Sequence, residues 1–175
     1  MLSEVEASLP RDQSKACEEP SASEEEAEMK YTLLTLAVLG IIVSSLALRE
    51  HYREEGDAPC DINAHWDCGI VNHSPYAMIP HHADDWPLHF QIPVAVFGIA
   101  GYILMGALAL RRRYRLLLIL SLAGLAFSLY LANIEAHVLG VWCIYCAISL
   151  GIISLLTLLN LGTVVAQIVH KPSPA

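Results

Sequence analysis

Charge is what this chain has least of. Only 16% of its 175 residues are Asp, Glu, Lys or Arg, too few to clothe a soluble domain of that size. With 55% hydrophobic residues, it reads as a membrane protein. Basic side chains are scarcer still, ten Lys and Arg against eighteen Asp and Glu. They form no field large enough for nucleic acid, which sets that class of partner aside. The net charge of −8 describes a tail rather than a binding surface, because half of the carboxylates precede Met29. No internal repeat and no lipidation motif is present. A cleavable signal peptide is not expected either: the first apolar run follows the acidic tail, has no convincing small-residue cleavage site after it, and should stay as an anchor. One domain is the simplest reading.

What the chain does have is a series of long apolar runs. Residues 1–30 are rich in Glu, Ser, Ala and Pro with little to bury, which predicts a disordered acidic tail in which Cys17 is a bystander. Tyr31 to Leu48 is uncharged and close to the roughly 20 residues that cross a bilayer, so a first span is expected over 31–48. Residues 49–90 return to water and carry Cys60, Cys68 and the histidines His65, His73, His81, His82 and His89. A second span is expected over 91–110, where Gly98, Gly101 and Gly106 would let a neighbouring helix come close. Arg111, Arg112, Arg113 and Arg115 make a basic turn. A third span over 116–135 carries Ser121, Gly124 and Ser128, a fourth runs over 141–168, and 171–175 is a short tail. The prediction is an all-α integral membrane protein, a four-transmembrane-helix bundle with a long extracytoplasmic loop capping its outer face.

The cations orient it. Arg11, Lys15, Lys30, the basic turn and Lys171 fall on one side of such a bundle, and only Arg49 and Arg53 on the other. The positive-inside rule then places both termini in the cytoplasm. Cys60 and Cys68 in the loop, and Cys143 and Cys146 at the head of the fourth span, therefore meet at the outer face. That is a compartment where disulfides persist, the bacterial periplasm or an equivalent lumen.

Cys143 and Cys146, spaced i, i+3, put both sulfurs on one face of a helix, and the first feels the positive end of the helix dipole, which favours thiolate. One Cys-x-x-Cys is weak evidence, but a second pair on the same side suits a relay. Electrons would enter at Cys60 and Cys68, cross a mixed disulfide to Cys143, and leave from Cys146 to an apolar two-electron acceptor, which points to a quinone. Other readings share these residues: two static disulfides in a non-catalytic scaffold, or a zinc site using Cys60, His65 and Cys68 with the downstream pair Cys143 and Cys146. Ala147 rather than His follows the downstream pair, so c-type haem attachment is not supported. Glu135 and His137 are expected at the interface rather than buried, with proton handling for quinone reduction as the alternative, and His73, His81, His82 and His89 are expected to be solvated or hydrogen-bonded at the headgroup level.

Cys60-Asp-Ile-Asn-Ala-His-Trp-Asp-Cys68, Ser74 beyond it, Phe97-Gly98, Leu129-Tyr130-Leu131-Ala132 and Cys143-Ile-Tyr-Cys146 follow one another in an order and spacing that resembles the bacterial form of the vitamin K epoxide reductase family. The likeness runs from about Tyr31 to Leu159. It implies a four-helix bundle around a quinone, menaquinone or ubiquinone, in the bacterial inner membrane. It implies that Cys60 is exposed to a protein partner, that Cys68 exchanges with Cys143, and that Cys146 faces the quinone ring. Ser74 would shape the lid or cap the Ser-Pro turn. Val71, Phe97 and Leu131 would line the pocket with it. Bacterial members are often fused to a thioredoxin-like domain, so the partner expected here is a separate thioredoxin-like disulfide oxidase. Animal members carry an Asn and a Tyr against the quinone oxygens. The matching positions are Val94 and Leu150, which favours plain quinone reduction over epoxide reduction.

Overall fold

The computed structural model describes residues 22–53, 60–63, 65–79 and 91–169. The expectations for Cys17, His81, His82, His89 and the two terminal tails up to residue 21 and from residue 170 lie outside these residues. The described chain is all-α but for one pair of two-residue strands: α1 (Ala22–His51), α2 (Cys68–His73), a 3-10 turn (Pro75–Ala77), β1 (Met78–Ile79), β2 (Ile92–Pro93), α3 (Val94–Leu110), α4 (Tyr114–Ile134) and α5 (Ile144–Val169). Three helices, α1, α4 with the turn that prolongs it, and α5, are long and apolar enough to cross a membrane, and α3 is a shorter apolar helix.

The ends of the elements follow local chemistry. α1 starts at Ala22, nine residues ahead of the expected span, because Ala, Glu, Met and Lys are good helix formers and Glu24 and Glu25 in its first turn suit the positive end of the dipole. This extension is tied to the far turn of the bundle by Arg112, whose Nη1 donates to Glu26 Oε2 at 3.0 Å. α3 begins at Val94 rather than Gln91 because Pro93 disfavours helix at Ile92. Those two residues instead pair antiparallel with Met78 and Ile79.

The four apolar helices form a ring in which α1 lies against α3 and α5, and α4 against α5 and α3. Leu33, Tyr102, Met105, Leu117, Ile153 and Leu156 fill its centre, while Ile119 and Leu158, about two-thirds exposed, face outward as lipid-contacting residues would. Close approach of α1 and α3 depends on two glycines. A methyl at Gly98 would sit 2.8 Å from Ser44 Oγ, and one at Gly40 would overlap the Tyr102 ring. Gly101 has more room, its nearest neighbour being the tip of Met105 at 3.9 Å.

At the end away from the arginine turn, α4 widens into one π turn (Glu135–Leu139), closed by Gly140 in the left-handed region at φ 70°. Here the described residues between α1 and α3 pack against the ends of α1 and α5. His51 Nδ1 pairs with Asn72 O at 2.6 Å. His73 Nδ1 and Nε2 face the carbonyl oxygens of Gly69 at 2.8 Å and Arg53 at 3.0 Å. His73 is thus a fastener between α2 and the end of α1, hydrogen-bonded rather than solvated.

Candidate active site

Cys60 and Cys68 are joined in a disulfide. The peptide between them is folded on itself: Ile62 N–H donates to Trp66 O at 3.0 Å, Trp66 N–H to Asn63 O at 3.0 Å and His65 N–H to Asn63 Oδ1 at 2.9 Å. Cys68 opens α2, whose N-cap Asp67 accepts from Ile70 N–H at 2.8 Å, while Asp61 Oδ1 accepts from Gly69 N–H at 3.1 Å. These bonds satisfy amides that the start of a helix leaves free.

The loop is then stitched to the head of α5. Asp67 N–H donates to Trp142 O at 3.1 Å, and Trp142 N–H to His65 O at 2.8 Å. Asp67 precedes Cys68 and Trp142 precedes Cys143, so this backbone pairing holds the two cysteines side by side. Cys60, Cys68, Val71 and Cys143 form one buried cluster backed by Leu139, Val141 and Ile144. The amide of Asn72 bridges the two sides, donating to Cys68 O at 2.8 Å and reaching Cys143 Sγ at 3.7 Å. Cys60 is only 5% exposed, which corrects the expectation of an exposed loop cysteine: the disulfide draws it under α2 and into the same cluster.

Cys143 stands immediately before α5, and its carbonyl accepts the helix's first bond, from Ala147 N–H at 3.0 Å. Cys143 and Cys146 are free thiols, the first fully buried and the second half-buried. Only Cys146 of the two lines the apolar cavity beneath the loop, a space of about 180 Å³ with room for a ring system. Val71, Ser74, Phe97 and Leu131 are on its wall, as is Val94. Leu150 is not: it packs into the central core. On the wall one position earlier is Ser149, bonded through its carbonyl and hydroxyl to the Tyr102 hydroxyl at 3.0 Å. Ser74 also caps α2, its hydroxyl donating to Val71 O at 2.8 Å.

Two residues of this site were misread or missed in the sequence. Glu135, expected at the interface, is 2% exposed, and its Oε2 accepts the Cys143 N–H at 3.1 Å. The π turn rotates it inward, whereas His137 is exposed, as expected. A lone acid in an apolar run is itself a signal of a buried functional group. Asn72, four residues after Cys68 and so on the same face of α2, carried a weaker signal. Among the described residues no group of three His, Cys, Asp or Glu side chains converges on a metal position. Of the ligands that a zinc site would draw on, Cys60 and Cys68 are joined in the disulfide and His65 is exposed.

Asn72 gives a testable consequence. Asn72→Leu keeps the volume of the side chain but removes the donor beside the Cys143 sulfur, where a hydrogen bond to a charged acceptor is worth about 1.5–3 kcal/mol. Formation of the Cys68–Cys143 mixed disulfide, followed by mass spectrometry in the Cys146→Ser background, is expected to slow about tenfold or more at fixed pH. An unchanged rate would show that the amide serves α2 alone.

A disulfide held beside a free thiol pair, one member of which opens into an apolar cavity within a membrane-helix bundle, defines a membrane thiol oxidoreductase. The sequence profile of the Vitamin K epoxide reductase family matches residues 31–161, the greater part of the chain, and the chain belongs to that family. It is thus a multi-pass integral membrane enzyme of a family of quinone-reducing thiol oxidoreductases, which removes the non-catalytic scaffold. No curated protein matches the chain.

Proposed function

We propose that the protein re-oxidises a separate periplasmic thioredoxin-like protein and delivers the electrons to menaquinone or ubiquinone, sustaining disulfide formation in secreted proteins. The observation that carries this reading is the pairing of Asp67 with Trp142, which sets the Cys60–Cys68 disulfide against Cys143 while Cys146 opens into the cavity. Thiols of the partner reduce Cys60–Cys68. Cys68 then exchanges with Cys143 through a mixed disulfide, and the pair of electrons leaves from Cys146. The fit of a quinone ring rests on the apolar wall of Val71, Phe97 and Leu131. Val94 on that wall, with Leu150 turned away, leaves neither of the polar contacts that the animal pattern would place there, in keeping with quinone rather than epoxide as substrate.

The cysteine end faces the periplasm and both termini the cytoplasm of a bacterial inner membrane. The four arginines of the turn after α3 support this orientation. Direction is set by the quinone pool, since a difference of about 30 mV is already worth 1.4 kcal/mol for a two-electron couple. The test is anaerobic quinol formation by purified protein given a reduced thioredoxin-like protein, with one quinol expected for each dithiol oxidised. Dithiol oxidation without quinol, or no oxidation by folded protein, would overturn the proposal.

A further inference from the structure

The relay leaves a buried acid of the cavity wall without a task. Glu135 is 2% exposed and no Lys, Arg or His nitrogen pairs with it among the described residues. The other buried acid of this end, Glu50, at least has Arg53 Nε 3.7 Å away. Burying a carboxyl without a cation is costly and needs a reason. Oε2 accepts the Cys143 N–H, while Oε1 has no hydrogen-bond partner among the described residues. The Cys146 thiol lies beside the carboxyl, and both residues are on the wall of the cavity. The titratable groups against the carboxyl are Cys143, just before α5, and Cys146 on α5, and the same cavity wall also carries His51 of α1, Tyr76 of the 3-10 turn, Tyr102 of α3 and Tyr145 of α5. The π turn that aims Glu135 inward is of a kind frequent at functional sites.

We propose that Glu135 is the proton carrier between the Cys146 thiol and the quinone oxygen. The inference rests on the function proposed above. Two thiols and a quinone become a disulfide and a quinol: two S–H bonds break, the Cys143–Cys146 bond forms, two electrons pass from sulfur to quinone and two O–H bonds form. The Glu135 carboxylate takes the Cys146 proton through Oε1 and gives it to the nearer quinone oxygen, ending as it began. The Cys143 proton leaves to water, and the second quinol proton comes from water. Oε2 meanwhile keeps the Cys143 amide in place, so the carboxyl holds one cysteine while serving the other.

Glu135→Gln separates the two duties, because its amide oxygen can still accept the Cys143 N–H but cannot carry a proton as the carboxylate does. Quinol formation from the pre-reduced protein is expected to fall about a hundredfold or more and to lose the pH dependence of the native rate. Reduction of the oxidised protein by a thioredoxin-like protein without quinone should fall far less than quinol formation does. Glu135→Asp should recover part of the quinol rate. Native quinol rate in Glu135→Gln would overturn the inference, as would equal loss of quinol formation and thiol exchange, the mark of a structural role. Should Glu135→Gln not fold, Glu135→Ala with added formate is the second variant: rescue of quinol formation supports the carrier, and no rescue in folded protein overturns it. Native protein in the same assay tests the underlying function, so absence of quinol there is a different failure.

Discussion

Cys146→Ser is expected to abolish quinol formation, lowering thiol-driven turnover by roughly three orders of magnitude or more, the scale seen when a reacting nucleophile is removed. The reason is positional. Cys146 is on the cavity wall, whereas Cys143 is fully buried among Cys60, Cys68 and Val71 and does not reach the cavity. No other sulfur of the described site can replace it. Serine is nearly isosteric, so the bundle should persist, which thermal unfolding in detergent checks. Partner-dependent quinol formation is the readout. Turnover near the native rate would mean that electrons leave by a route that does not use this wall.

The second large effect falls on folding. Gly40→Val is expected to destabilise the bundle by about 3 kcal/mol, the upper part of the range for overpacking a filled core. The new side chain meets the Tyr102 ring. That ring cannot swing aside, because it is 3% exposed and its hydroxyl is fixed to Ser149 at 3.0 Å. The strain would also disturb the cavity, since Tyr102 and Ser149 are on its wall. Unfolding followed in detergent measures the loss. Combining Gly40→Val with Tyr102→Leu should recover much of it, a non-additivity expected only for side chains in contact. Gly101→Ala, with room around it, should be close to neutral. Equal losses at Gly40 and Gly101, or strict additivity with Tyr102→Leu, would contradict this packing.

These residues mark how far the sequence could be read. The hydropathy runs located the four helices because burial in lipid needs length and apolarity, which composition reports directly. The start of α1 was not legible, because Ala and Glu of a solvated helical extension look the same as those of a tail. The start of α3 was, in hindsight, written in Pro93. The cysteine pairs were visible through order and spacing, whereas Val71, Ser74, Phe97 and Leu131, which are on the cavity wall, came only from the family resemblance. The burial of Cys60 was not visible, since it depends on the fold of the loop rather than on any local pattern. Gly40 passed unnoticed because an apolar helix does not say which of its faces meets a neighbour. Glu135 was misplaced because the end of a span suits an interfacial acid as well as a buried one, and only the π turn decides between them.

The central claim is that electrons cross from the loop to the bundle between Cys68 and Cys143. The most direct measurement is disulfide mapping of Cys146→Ser after brief anaerobic exposure to a reduced thioredoxin-like protein and re-oxidation, with acid quenching and digestion. The relay predicts a peptide linked through Cys68 and Cys143, with Cys60 free. Recovery of only the Cys60–Cys68 link, with Cys143 unpaired throughout, would contradict it.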